Sequence, residues 1–181
     1  MPESSERGAF EVLATYQTSH DRKTVEWLNS ADIQASFGLR RTVTEASHRS
    51  WVDANGDTLI WAIVDPTGRH VGNVLLKLTQ RHRSGYFQIY IGEPIARGQG
   101  LGDRALSATL TKAFDELGLH RVWLHTLPDN VAAAALYRKH GFVFEGTERD
   151  ALLWNGTFTS QHRWSILEHE WMARRGKEGA R

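Results

Sequence analysis

Apolar residues recur with two different periods along this chain, and the changes of period divide it into elements. Between Phe10 and Tyr16 apolar and less apolar positions alternate, the two-residue period of a strand with one buried face. From Asp21 to Asn29 the spacing becomes helical, with Asp21 as the capping residue and Val25 and Leu28 turned inward. Residues 31–43 show neither period and are expected to be irregular. A second helix runs from about Thr44 or Glu45 to Asp53 and is closed by Asn55-Gly56. The apolar strand Leu59 to Val64 turns at Asp65-Pro66-Thr67-Gly68 into a strand from Arg69 to Thr79, where Gly72 marks a bulge or a close approach. A polar turn, Gln80 to Gly85, leads into the strand Tyr86 to Gly92. Three strands joined by short turns predict an antiparallel meander.

Past Gly92 the helical period returns. Leu106, Leu110, Ala113, Phe114 and Leu117 share one face of a helix that ends at Gly118. Arg121 to Leu127 is the next strand, and Pro128-Asp129-Asn130 opens an alanine-rich helix from Val131 to His140, closed by Gly141. Another strand begins over Phe142 to Glu145, and Asn155-Gly156 signals a hairpin. The last strand covers about Gln161 to Leu167, followed by a short helix over Glu168 to Arg174. Strand, glycine loop, helix, strand, helix, strand is the order of an α/β fold on a mixed sheet. Residues 1–8 and the tail Arg175 to Arg181 are expected to be disordered.

Composition narrows this picture without redirecting it. The 181 residues suit one domain spanning 1–181, and 40% hydrophobic with 24% charged content is ordinary for a soluble protein. A net charge of +1 gives no electrostatic case for nucleic acid or a membrane surface. The absence of cysteine excludes disulfides, thiolate catalysis and cysteine-based zinc sites, and a reducing cytoplasm is the expected compartment. No apolar run approaches the length of a membrane span. Seven tryptophans are expected in the core or in pocket walls. The nine histidines contain no pair spaced to put two ligands on one helix face, so no metal is expected.

The chemistry concentrates in Arg97-Gly98-Gln99-Gly100-Leu101-Gly102, between the strand ending near Gly92 and the helix beyond. Glycines there strip side chains from a helix N-terminus and leave its N–H groups, with the positive end of the dipole, to an anion. A diphosphate suits such a cradle, although many glycine-rich connections bind nothing. No Lys-Ser/Thr follows, so it is not a P-loop, and the alternating glycines are not a dinucleotide fingerprint.

Four segments in register carry a resemblance to the GNAT superfamily of N-acetyltransferases. They are the strand Phe87-Gln88-Ile89-Tyr90-Ile91, the Arg97-to-Gly102 loop matching Q/R-x-x-G-x-G/A, the strand Arg121 to Leu127, and Asn130-x6-Tyr137-x3-Gly141-Phe142. The tail, through Glu145-Gly146-Thr147, Asn155-Gly156 and Arg163-Trp164-Ser165-Ile166, resembles the RimJ/RimL branch. That branch includes enzymes acting on ribosomal-protein N-termini, with polyamine acetyltransferases nearby.

The resemblance implies a mixed, largely antiparallel sheet flanked by helices, with splayed fourth and fifth strands, and acetyl-CoA as cosubstrate without a metal. It assigns the CoA pyrophosphate to the backbone of Arg97, Gly98, Gln99, Gly100, Leu101, Gly102 and Asp103, with Arg97 as a charged contact or a solvent-exposed arginine. Main chain at Ile89, Tyr90 and Ile91 would meet the pantetheine arm, and small residues such as Ala133 would let it lie close to the helix. Asn130 is a pantetheine contact, an N-cap, or both. Tyr137 is the implied acid for the departing thiolate, its alternative being packing beneath Phe142. Some relatives carry a glutamate base where this chain has Tyr86, so the base is open between His125 and a water relay. The acceptor is a small-molecule amine or a protein N-terminus. Arg40-Arg41, in the region of the acceptor wall, weighs against a polyamine. A homodimer is an assembly frequent among relatives. A non-catalytic acyl-CoA-binding module is the other function compatible with the motifs.

Overall fold

The periodic segments become β1 (Leu13–Thr15), α1 (Asp21–Leu28), α2 (Ala31–Phe37), α3 (Glu45–Ala54), β2 (Thr58–Val64), β3 (His70–Thr79) and β4 (Ser84–Ile91). There follow α4 (Leu101–Thr111), β5 (Arg121–Thr126), α5 (Val131–Lys139), β6 (Val143–Trp154), β7 (Thr157–Leu167) and α6 (Glu168–Glu178). This computed structural model describes residues 10–37, 41–154 and 156–178. The expectations for residues 1–8, Arg40, Asn155 and 179–181 lie outside the described residues.

The strands form one sheet in the order β1-β2-β3-β4-β5-β7-β6. All neighbours are antiparallel except β4 and β5, which run parallel. Gly72 is a close-approach point as expected: a Cβ there would lie 2.3 Å from the Tyr90 carbonyl oxygen. The β2–β3 register also shifts beside it, between Ile63 and Val64. One face of β1–β4 presents Leu13, Ile63, Val74 and Phe87 to Leu101, Leu106 and Leu110 of α4, and Val122, Leu124, Phe142, Trp164 and Ile166 continue this core. Each fully buried side chain of this size contributes roughly 1.5–3 kcal/mol. The opposite face is covered separately by Trp27, Ile33 and Tyr90.

Several expectations are corrected. Residues 31–37 form α2 rather than an irregular segment. Asp21 does not cap α1; His20 occupies that position. Asp21 is buried instead, accepting from the Tyr16 hydroxyl at 3.0 Å and pairing with Arg49. The buried face of α1 is Asp21, Thr24 and Trp27, not Val25 and Leu28, because the sheet beneath it is polar. Asn73 Nδ2 donates to Thr24 Oγ1 at 2.9 Å and to Tyr90 Oη at 2.7 Å. Such satisfied side chains can be buried where an apolar pattern would predict Val or Leu.

Leu117 is 40% exposed because α4 widens into a π turn over Lys112–Glu116, which carries Leu117 off the apolar face and leaves Leu119 to fill the core. The first strand is only three residues long. The described part of the tail is helical: α6 continues to Glu178, held by Trp171 stacked on Phe114 at 6.0 Å and by Arg174 donating to the Lys139 carbonyl. Of the tryptophans, Trp27, Trp164 and Trp171 are core, and Trp51 is exposed.

Candidate active site

β4 and β5 are held side by side at only three positions, Ser84–Arg121, Gly85–Val122 and Tyr86–Trp123. Beyond Tyr86 they part, while β4 stays paired with β3 all the way to Ile91. Among the described residues, one edge of β4 from Phe87 onward therefore has no strand neighbour, and its backbone groups on that side are left to a ligand or water. The gap is a cleft of about 600 Å³. Its walls include Phe87, Ile89, Tyr90 and Ile91 of β4, Gly102 of α4, His125 and Thr126 of β5, and Asn130, Ala133 and Tyr137 at the head and along α5.

The glycine loop closes one end. Gly98 and Gly100 sit at φ +74° and +75°, a left-handed conformation that glycine adopts without penalty. Gly100 is the N-cap of α4 and has no side chain to satisfy the helix. The Arg104 N–H donates to the Gly100 carbonyl at 3.1 Å, so the N–H groups of Leu101, Gly102 and Asp103 precede the first intrahelical bond. A Cβ placed on Gly98, Gly100 or Gly102 would meet nothing within 4 Å, so the space over these amides is open. Side chains here point elsewhere. Gln99 donates to the Ile95 carbonyl at 2.7 Å. Asp103 accepts from Lys139 at 2.6 Å and lies 2.9 Å from His140 Nε2, and these contacts hold its carboxyl below the usual range. Arg97 donates through Nε to the Ile91 carbonyl at 3.0 Å and pairs with Asp32 at 2.5 Å. It is thus tied to α2 and β4 rather than free in solvent.

α5 supplies the other wall. Asn130 caps it, its Oδ1 accepting from the Ala133 N–H at 3.1 Å, and it also lines the cleft. Tyr137, two turns on, is 7% exposed and lies between Phe87 and Phe142, with ring centroids at 6.4 and 5.4 Å. Packing beneath Phe142 and lining the cleft are both true of it. Its hydroxyl has no hydrogen-bond partner among the described residues, and burial, with Tyr86 nearby, raises its pKa well above that of an ordinary phenol. The phenol is therefore protonated at neutral pH.

Residues 12–143 match the model of the acetyltransferase (GNAT) domain. The chain belongs to the GNAT family. Over 100 residues this GNAT domain is 33% identical to spermidine N(1)-acetyltransferase of Vibrio cholerae, covering 55% of this chain and 57% of that protein. It is 38% identical over 96 residues to mycothiol acetyltransferase of Salinispora tropica, covering 51% of this chain and 30% of that protein. The chain thus spans well under two thirds of either relative. Its fold matches that of Vibrio cholerae spermidine N-acetyltransferase in complex with CoA and spermine, with a TM-score of 0.82 at 24% identity over 88% of this chain and 96% of that one. The splayed β4 and β5 of this GNAT domain are as the sequence resemblance implied.

The opposite end of the cleft holds a cluster that spacing did not reveal. His125 lines it beside Tyr86, with ring centroids at 5.6 Å. Glu148, on β6, places Oε2 3.1 Å from His125 Nε2. This is ion-pair distance, but the alignment falls short of a hydrogen bond, for Nε2 is enclosed without a hydrogen-bond partner among the described residues. The carboxylate accepts instead from Gln161 Nε2 at 2.7 Å and pairs with Arg163 at 2.6 Å. Burial lowers the His125 pKa, assisted by Arg163 and opposed by Glu148, which keeps the imidazole neutral at pH 7. Asp32, Leu152 and Gln161 line the cleft without having been expected there. The only local signal for Glu148 is the alternation of β6, obscured where the β6–β7 register breaks between Glu148 and Leu152. Arg41 is exposed and is not among the cleft-lining residues.

Proposed function

We propose that this GNAT domain, residues 1–181 as one unit, transfers the acetyl group of acetyl-CoA to a primary amine by direct attack in a ternary complex. The observation that carries this reading is the convergence, on one cleft, of a β4 edge and a Tyr137 hydroxyl that have no partner among the described residues with the open amides of the glycine loop. The acyl-CoA fits this chain on its own terms. The loop amides from Gly98 to Asp103 suit a diphosphate, since an anion there meets N–H groups and a helix dipole. Arg97 borders the same cleft, with one guanidinium nitrogen paired to Asp32. The backbone of Ile89, Tyr90 and Ile91 suits the amides of a pantetheine arm, and Asn130 and Ala133 border its path along α5.

The cosubstrate supplies an activated acyl carbon and a weakly basic thiolate leaving group. Tyr137 donates its proton to that sulfur as the acyl–sulfur bond breaks and is reprotonated within the catalytic cycle, a role for which the group must rest in its protonated form, as its raised pKa ensures. His125, neutral and at the acceptor end, is the group placed to take a proton from the amine. We place the domain in the RimJ/RimL-like branch on the strength of its β6–β7 sequence, which leaves a small amine and a protein N-terminus both open as acceptors. The names of the relatives, spermidine and mycothiol acetyltransferases, support acylation while differing in the acceptor.

The test is release of CoA from acetyl-CoA with a panel of amines: spermidine, spermine, amino acids and peptides with a free N-terminus. Turnover on any member supports the transferase. Binding of acetyl-CoA with no turnover on any amine favours the acyl-CoA-binding module instead.

A further inference from the structure

An amine reaches neutral water as an ammonium ion and must lose a proton before its lone pair can attack. Tyr86 lines the cleft, but it is a protonated phenol whose pKa burial raises, so it takes no proton at neutral pH. Among the described residues of the cleft wall, His125 carries the imidazole. Its two nitrogens are in different surroundings. Nε2 is enclosed and 3.1 Å from Glu148 Oε2, which leaves Nδ1 as the nitrogen available to the cleft that His125 lines.

The carboxylate is itself built in. Glu148 is held from β7 by Gln161 at 2.7 Å and by Arg163 at 2.6 Å, and Arg163 in turn lies over the Trp123 ring at 4.8 Å. These partners fix the carboxylate opposite the ring, because β5 and β7 are paired in register with His125 facing Arg163. Just past Glu148 three residues of β6 stand against one of β7, and Asp150 within them takes φ +50°. Bulges of this kind redirect side chains beside active sites. Here the bulge separates Glu148 from Leu152, which lines the same cleft.

We propose that Glu148 is the positioning residue for His125: its carboxylate, 3.1 Å from Nε2, favours the proton on that nitrogen and leaves Nδ1 to the acceptor amine. This deepens the acetyltransferase reading and rests on it. The ammonium gives one proton to Nδ1, and Glu148 stabilises the imidazolium formed. The nitrogen lone pair then bonds to the acetyl carbon as the carbon–sulfur bond breaks. The second proton leaving nitrogen replaces the one Tyr137 gives to sulfur, and the imidazolium returns its proton to water. One proton is released per acetyl transferred. The charged and titratable groups facing the ring are Glu148 from β6, Arg163 from β7 and Tyr86 from β4. Removing the Glu148 charge leaves Arg163 alone, so the imidazole should become a weaker base.

The experiment pairs two readouts on wild type, Glu148→Gln and Glu148→Asp. The first is the titration midpoint of His125 by NMR, assigned with His125→Gln, which needs no turnover and so stands apart from the acetyltransferase reading. Glu148→Gln should lower the midpoint by about half a unit or more, and Glu148→Asp should recover part of the shift. The second is the pH profile of kcat/KM. Its acid limb should follow the His125 midpoint to lower pH in Glu148→Gln. On the plateau kcat should fall roughly tenfold for Glu148→Gln and about 100-fold for His125→Gln, with KM for acetyl-CoA unchanged. A midpoint that does not move in a folded Glu148→Gln protein overturns the proposal, as does an acid limb that ignores His125.

Discussion

Replacing Tyr137 by Phe separates the two roles its position allows, because only the hydroxyl is removed and the ring contacts to Phe87 and Phe142 remain. The hydroxyl has no protein partner among the described residues and lines the cleft, so folding gains no intramolecular hydrogen bond from it. Its removal should leave the stability unchanged or raise it by up to about 1 kcal/mol. Activity should respond oppositely. A positioned general acid contributes about 10²–10⁴-fold, so kcat should fall at least ~100-fold, or roughly 2.7 kcal/mol of barrier. Affinity for acetyl-CoA should change little, since the loop and β4 edge are untouched. The assays are thermal melting, calorimetric binding of acetyl-CoA and CoA release with an active amine. Because the phenol pKa is raised above its ordinary 10.0, the wild-type profile should also show no loss of kcat from Tyr137 ionisation up to pH ~9. Undiminished kcat in Tyr137→Phe would refute the acid role. A fall in kcat matched by a fall in melting temperature would show instead that the residue acts through packing.

Three other outcomes follow from the same geometry. Gly100→Asp puts a carboxylate beside the open amides at a φ of +75° and should weaken acetyl-CoA binding at least tenfold by calorimetry, with a backbone cost of about 1–2 kcal/mol; unchanged affinity would remove the loop from the cofactor site. Gly72→Ala drives a methyl into the Tyr90 carbonyl, 2.3 Å from the ideal Cβ, and should cost about 1–3 kcal/mol in denaturant unfolding. His20, His48 and His70 all have pKa values lowered from 6.5, chiefly by burial, so the folded state binds fewer protons than the unfolded chain. Their contribution is intact above pH 6.5 and is lost as pH falls through the lowered folded values. Melting temperature should accordingly drop between pH 7 and 5, and a flat profile there would contradict the burial of these rings.

The local code of this chain was largely readable. Period-two and helical apolar patterns, turn residues and caps placed β2, β3, β4, α3, α4 and α5 close to their observed positions, because each depends on neighbours within a few residues. The glycine loop and the Asn130–Tyr137 segment were legible for the same reason: φ at Gly98 and Gly100, and the two-turn spacing on one helix face, are local properties. What tertiary structure alone decided was how polar residues are used. Asp21 is buried against Arg49, and Thr24 against Asn73, on elements distant in sequence that supply their partners, so no apolar period marks them. Arg97 meets Asp32 across 65 residues' separation in the chain (97 − 32), and Glu148 meets His125 across 23 (148 − 125). Spacing in one dimension carries no record of such pairs. The donor side of the cleft rests on backbone conformation, which sequence writes locally; the acceptor side rests on side chains that only the closed sheet brings together.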